Sequence, residues 1–216
     1  MLTVAVIRIC VALLRLSKVL MRADAKKNHD DLLAVALVVV GEQGADASLR
    51  EIARRAGVGL PTLYRHFPTR EALLEALLRS GFDDLTAKAR DLEISNAPDD
   101  ALLSWLRETV AVSQKYHGVT TAMMAAIDDP NSALHASCVT MRAAGTRLLA
   151  RAQADGTARA DISGADLFAL IAALAWLGDQ PAAMQRADHL FGVIANAILP
   201  SRTGIGYGVK GRAPVR

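Results

Sequence analysis

Two short helical patterns lie either side of Gly57-Val58-Gly59, and so brief a break forces them to cross at a steep angle. Close crossing demands a small residue within the first helix, and Ala53 supplies it. The turn demands a residue that accepts positive φ, and Gly57 supplies it. The inner faces demand apolar side chains, and Ile52, Ala56, Val58 and Leu63 fall there. Such a pair, a helix-turn-helix over residues 49–67, exposes its second helix in the way a reading helix enters a DNA major groove. A plain hairpin inside a helical bundle would explain the apolar positions and Gly57. It would not explain why Thr62, Tyr64, Arg65 and His66 crowd one short helix. Phosphate contacts need hydroxyl or basic groups at helix starts and flanks, and Ser48, Thr62, Tyr64, His66 and Arg70 are so placed.

The rest of the chain reads as helix after helix. It is rich in Ala and Leu, and aromatic residues make up only 4% of it, so the expected fold class is all-α. Helix one is predicted over Asp24 to Glu42, with Leu32, Leu33, Ala36, Val39 and Val40 at helical spacing and Gly41 and Gly44 closing it. Val38-Val39-Val40 would suit a strand taken alone, but it continues the periodicity of Leu32 to Leu37. Ser48 with Glu51 forms a capping box for a helix ending at Ala56. A third helix spans Leu60 to His66, with Pro61 tolerated in its first turn. Thr69 caps a fourth that runs beyond Phe82. The first linker-like break is Asn96-Ala97-Pro98-Asp99. These breaks place a DNA-binding domain at 21–80 and a helical domain for ligand binding and dimerisation at 81–200. Within the latter, helices are predicted over Asp100–His117, Thr120–Asp128, Ser132–Ala154, Ala165–Leu177 and Pro181–Leu199, with a capping box at Ser163 and Asp166.

The ends are different. Residues 1–20 are apolar but interrupted by Arg8, Arg15 and Lys18, so no uncharged run approaches the roughly 20 residues that span a bilayer. No basic start precedes them and no small-residue cleavage site follows, which fits a secretory signal poorly. One reading is an amphipathic membrane-surface helix. The plainer one is a segment upstream of the true start, with Met21 as an alternative initiator. Residues 201–216 are Gly-rich and basic and read as a disordered tail. The net charge of +3 permits a nucleic-acid partner without arguing for one. Cys10 and Cys138, the two cysteines, offer neither a disulfide framework nor metal spacing, so a reducing cytoplasm is expected, with no metal and no cofactor.

From Ala25 to Leu78 the chain closely resembles the N-terminal domain of the tetracycline-repressor (TetR) family. The shared words include Gly41-Glu42-Gln43-Gly44, Ser48-Leu49-Arg50-Glu51-Ile52-Ala53, Ala56-Gly57-Val58-Gly59 and Thr62-Leu63-Tyr64-Arg65-His66-Phe67-Pro68-Thr69-Arg70. The resemblance implies that Thr62, Tyr64 and His66 contact the operator backbone and that Leu60 and Pro61 lie where base-reading side chains vary. Two departures stand out. Val40 replaces an aromatic near the end of helix one, which implies a looser core under the reading head. Pro61 removes a backbone donor, so base readout would lean on Gly59, Leu60 and Arg65. It could also lean on an N-terminal arm, Arg22, Lys26 and Lys27, reaching the minor groove. That arm reads equally well as a solvated helix start. The full expected DNA-binding set adds Ser48, Thr69 and Arg70. The second domain resembles that of SbtR-like regulators, through Ser137-Cys138, Arg142-Ala143-Ala144-Gly145 and Arg151-Ala152-Gln153-Ala154-Asp155-Gly156.

The last two predicted helices are apolar on more than one face, through Phe168, Leu170, Ile171, Leu174, Trp176, Leu177, Leu190, Phe191, Ile194 and Ile198. The resemblance makes them a homodimer interface. Trp105, Tyr116, Met123, Met124, His135, Cys138, Arg142, Phe168 and Trp176 are the expected lining of a pocket for a small-molecule effector. Taken one at a time, Trp105, Met123, Met124 and Phe168 read better as ordinary core. His135 and Cys138, three apart on one helix, lack a third partner for catalysis or metal binding, and no nucleophile elbow, phosphate loop or HExxH word occurs. The expected function is a ligand-responsive repressor binding a palindromic operator as a homodimer. The alternatives are a membrane-associated protein anchored by residues 1–20, or a small helical enzyme using His135 and Cys138.

Overall fold

The computed structural model describes residues 27–178, 180 and 185–200, apart from the side chain of His117. The expected arm residues Arg22 and Lys26, the segment 1–20 and the tail 201–216 lie outside the described residues. All regular structure within them is helical. The chain divides into two compact units between Leu77 and Leu78.

The first unit starts with α1, described over residues 27–43. Leu32, Ala36, Val39 and Val40 form its buried stripe, at the three-to-four-residue spacing that faces one side of a helix. Gly41 lies inside the helix. The turn falls at Gly44, where φ is +78° and the amide donates to the Val40 carbonyl at 2.7 Å. Next come α2 (Leu49–Arg55) and α3 (Leu60–His66), and then α4 begins. Thr69 caps α4 through a bond from the Ala72 amide at 3.1 Å.

The capping box at the start of α2 forms only by half. The Glu51 amide donates to Ser48 Oγ at 3.4 Å, but the Glu51 carboxylate does not return to the Ser48 amide, which donates instead to Gln43 Oε1. Two guanidiniums, three and four residues on, compete for it and win. Arg54 Nε donates to Glu51 Oε2 at 2.8 Å, and Arg55 Nε donates to Oε1 at 2.7 Å. Arg55 also pairs with Glu42, which fastens α2 to the end of α1. The Ser163–Asp166 box does form, with amides and side chains bonded both ways.

The second unit holds the remainder of α4 (Arg70–Leu92), α5 (Pro98–Lys115), α6 (His117–Ala122), α7 (Met124–Asp128), α8 (Ala133–Ala154), α9 (Gly164–Gly178) and α10 (Ala187–Ile198). α5, α8 and α9 pack against one another, and α10 lies on α9. The single helix expected at Thr120–Asp128 is two short ones that meet at Met123, outside the α-helical well at φ −104° and ψ 9°. Met123 is buried and Met124 exposed, so the bend seats one of the two side chains in the core. Of the helix expected over Pro181–Leu199, the described residues contain Ala187–Ile198, and 181–184 lie outside them.

Trp105 anchors this unit. It is fully buried, its indole N–H donates to the Leu85 carbonyl at 2.9 Å, and its ring meets Phe168 edge-on at 5.9 Å. Gly145 on α8 leaves the space that the indole occupies, and a methyl group added there would overlap the ring. Gly→Ala inside a helix ordinarily stabilises by about 1 kcal/mol. Here the overlap reverses the sign, because overpacking a filled core costs about 1–3 kcal/mol or more. Gly145→Ala is expected to lower the denaturant midpoint with an unchanged slope, a net loss of at least about 1 kcal/mol; a stabilised variant would contradict this packing.

Candidate functional site

The α2–α3 pair closes as the sequence demands. Gly57 takes φ +68°, its amide donates to Arg54 O, and the Val58 amide reaches back to Ala53 O at 3.0 Å. Ile52 and Ala53 are buried on α2, and Leu63 is wholly buried on α3, while Ala56 and Val58 are half-buried. Gly59 is the extended N-cap of α3, with Pro61 near its first turn.

Burying Leu63 turns the neighbouring side chains outward. Tyr64 is 45% exposed, and its hydroxyl has no hydrogen-bond partner among the described residues. Arg65 lies back along α3, donating to Thr62 Oγ1 at 3.0 Å and to the Pro61 carbonyl at 3.4 Å. Thr62 therefore accepts from Arg65 and keeps its own proton to donate. Ser48 Oγ likewise accepts from an amide, which leaves its hydroxyl proton available, whereas Thr69 Oγ1 accepts from the Ala72 amide and gives its proton to the Glu71 carboxylate. Pro61 and Lys27 are exposed, and Leu60 is half-buried.

Two more of the expected contact residues have other attachments. His66 belongs to a ring cluster, 5.9 Å from His29 and 6.3 Å from Phe67. Phe67 is buried there; Val40, the residue that replaces the expected aromatic, is also buried in this unit. Arg70 faces the turn after α1, donating to the Ala45 carbonyl and to Asp46 Oδ1 at 3.3 Å.

In the second unit a cavity of about 390 Å³ lies among α4, α5, α6, α7, α8 and α9. Of the expected pocket residues, Tyr116, Met124, Cys138, Arg142, Phe168 and Trp176 line it. Trp105, Met123 and His135 do not. Trp105 and Met123 are core, and the His135 ring Nδ1 is bonded to the Ile127 carbonyl at 2.7 Å. The structure thus places Cys138 on the cavity wall and His135 off it. Burial pushes the Cys138 thiol above its ordinary value, with the Arg142 charge opposing, so it is a poor nucleophile near neutrality. Reading the sequence missed Thr109, Val112 and Ser113, which with Tyr116 share one face of α5 and line the cavity. The signal was present: two hydroxyls at i and i+4 within an otherwise apolar stripe. Thr109 and Ser113 donate to the carbonyls one turn back, each at 2.8 Å, so they show the cavity only lone pairs.

Residues 32–77 match the model for bacterial regulatory proteins of the tetR family, and residues 97–198 match that for the C-terminal domain of SbtR-like transcriptional regulators. The chain is 31% identical over 111 residues to the HTH-type transcriptional regulator TtgW of Pseudomonas putida, covering 51% of this chain and 70% of that one. It is 35% identical over 80 residues to the HTH-type transcriptional repressor KstR2 of Rhodococcus jostii, a match spanning 37% of this chain and 39% of that repressor's length. The crystal structure of a TetR transcriptional regulator from Streptomyces coelicolor superposes with a TM-score of 0.66 at 34% identity, over 79% of this chain and 98% of that one. One from Mycobacterium vanbaalenii gives 0.63 at 30%, over 83% and 99%. The chain belongs to the tetR family of bacterial regulatory proteins, a class of helix-turn-helix transcriptional regulators. That membership favours neither the enzyme nor the membrane alternative. Among the described residues, no helix is long and apolar enough to cross a membrane.

The ion pairs that fasten α2 have a pH signature. Hydrogen bonds from Arg54 and Arg55 hold the Glu51 carboxyl down at about 2, against an ordinary 4.5. A depressed carboxylate stabilises the fold fully above its unfolded value, and that contribution fades as pH falls from 4.5 towards about 2. In a carbon-detected NMR titration Glu51 is expected to stay ionised after the exposed carboxylates have protonated; titration at an ordinary value would show that the pairs do not persist.

Proposed function

We propose that the chain acts as a cytoplasmic, homodimeric repressor that occupies a palindromic operator through α2 and α3 and is released by a small molecule. The observation that carries this reading is the set of hydroxyl groups on and around α3. Thr62, Tyr64 and Ser48 each retain a proton that no group among the described residues takes up, at the start or flank of a short helix whose inner side is locked by Leu63. Such donors suit phosphate oxygens, which position a protein on DNA without reading sequence. Base reading falls to the exposed edge made by Gly59, Leu60 and Pro61, with Arg65 beside them. Its apolar surface fits thymine methyl groups better than it fits hydrogen-bonding base edges.

Dimerisation rests on α9 and α10. In the single chain Trp176 is 58% exposed and Val193 51% exposed, on helices whose other faces already form the core. A second copy would cover them, and a twofold dimer also suits half-sites about one helical turn, ~34–36 Å, apart. The effector site is the cavity of the second unit. α4 runs by sequence through both units and contributes Leu78, Phe82 and Leu85 to the cavity wall, so it is the element through which occupancy would bias DNA binding. A coupling of about 1–3 kcal/mol is enough to change operator affinity several- to a hundredfold.

Operator binding across a salt series, with a palindromic duplex from the intergenic DNA beside the gene, tests the reading. Tyr64→Ala and Thr62→Ala are each expected to weaken binding about tenfold, the worth of one hydrogen bond to a charged group. The salt slope should not change, because neither side chain is a cation that displaces a counterion. Near-wild-type affinity in both variants would sink the proposed phosphate roles.

A further inference from the structure

The polar groups of the cavity are few and uneven. Among the described residues, Arg142 is the only charged side chain on its wall. Its guanidinium lies over the Phe168 ring, 5.1 Å from the centroid, and forms no ion pair with any described residue. Arg54, Arg55, Arg70, Arg147 and Arg159 each rest on a carboxylate, whereas Arg107 is held over a ring as Arg142 is, 4.7 Å from the Phe191 centroid. Arg142 differs from Arg107 in standing on the cavity wall. Arg142 is itself exposed, so it stands at the rim of the cavity, held against an aromatic face with its fork of donors unclaimed. The remaining wall is mostly aliphatic and aromatic, and the Thr109, Ser113 and Thr120 hydroxyls are committed as donors to their own helices. The Tyr116 hydroxyl, on a residue only 6% exposed, has no partner among the described residues and is a donor for an uncharged oxygen.

We infer that the effector is an amphipathic organic acid, with its apolar body in the cavity and its carboxylate on the Arg142 guanidinium. A cationic effector would meet repulsion from Arg142, the charge on the wall itself, although the Asp84 and Asp128 carboxylates act on Tyr116 and Cys138 from behind it; a neutral one would leave the fork unused. A carboxylate accepts two of its N–H groups at once, the geometry that guanidinium favours. The inference rests on the cavity being the effector site proposed above.

The test separates the two. The full chain takes up N-phenyl-1-naphthylamine, a neutral apolar fluorophore, which reports the cavity alone. Dodecanoic acid and dodecan-1-ol, below their aggregation limits at neutral pH, then compete with it; they share an apolar tail of the same length and differ in the charged head. The wild type is expected to release the probe at about one-tenth the concentration of acid that is needed of alcohol, the worth of a charge-assisted hydrogen bond at a part-solvated site. In Arg142→Gln the probe still binds and the advantage of the acid disappears, while Arg142→Lys keeps part of it. Equal potency of acid and alcohol in the wild type, or an advantage that persists in Arg142→Gln, overturns the inference. Failure of the wild type to take up the probe overturns the cavity reading itself, and the inference with it.

Discussion

A helix of seven residues cannot hold itself together in water, so α3 exists only because the chain around it leaves no alternative. Leu63 is wholly buried, and Gly57 turns the backbone through positive φ so that α3 returns across α2. Ala53 keeps α2 narrow where the two helices meet. On α2 a single carboxylate, Glu51, gathers Arg54 and Arg55, and Arg55 reaches on to Glu42 of α1. Once these constraints are met, the outward direction of Thr62, Tyr64 and Arg65 follows from helical geometry.

The second unit answers a different demand. It keeps a cavity open beside a close-packed core, and Trp105 marks the border between them. The indole fills the space left by Gly145, satisfies its N–H on Leu85 and supports Phe168, whose ring carries the Arg142 guanidinium. The same aromatic pair therefore stiffens the core and shapes the wall. Cavity hydroxyls bonded to their own helices add shape without unmet hydrogen-bond demand, which lets an apolar site stay open at low cost.

Much of this could be read from the residues. The limits of α3 at Leu60 and His66 were legible because Gly59 precedes it and Phe67-Pro68 ends it. The Ser163–Asp166 box was legible because no guanidinium among the described residues bonds the Asp166 carboxylate, whereas the matching box at Ser48 failed because Arg54 and Arg55 lie within one turn of Glu51. The break at Met123 carries no Gly or Pro and is a consequence of burial, which local pattern does not contain. In the cavity, Tyr116, Cys138, Arg142 and Phe168 stood out as large or polarizable side chains on apolar helices. Trp105 stood out for the same reason and is core, since side-chain type alone cannot tell a wall from what lies behind it. Arg70 and His66 looked free for DNA because their partners, Asp46 and His29, are distant in sequence.

The central claim is that DNA meets this protein on the exposed side of α2 and α3. Amide chemical shifts followed while a mixed-sequence duplex is added at low salt test it most directly, since non-specific binding uses the same backbone-positioning groups. The account predicts shifts concentrated at Ser48, Thr62 and Tyr64 and fading as salt is raised. Shifts confined to residues beyond Leu78, or none at all, would contradict it.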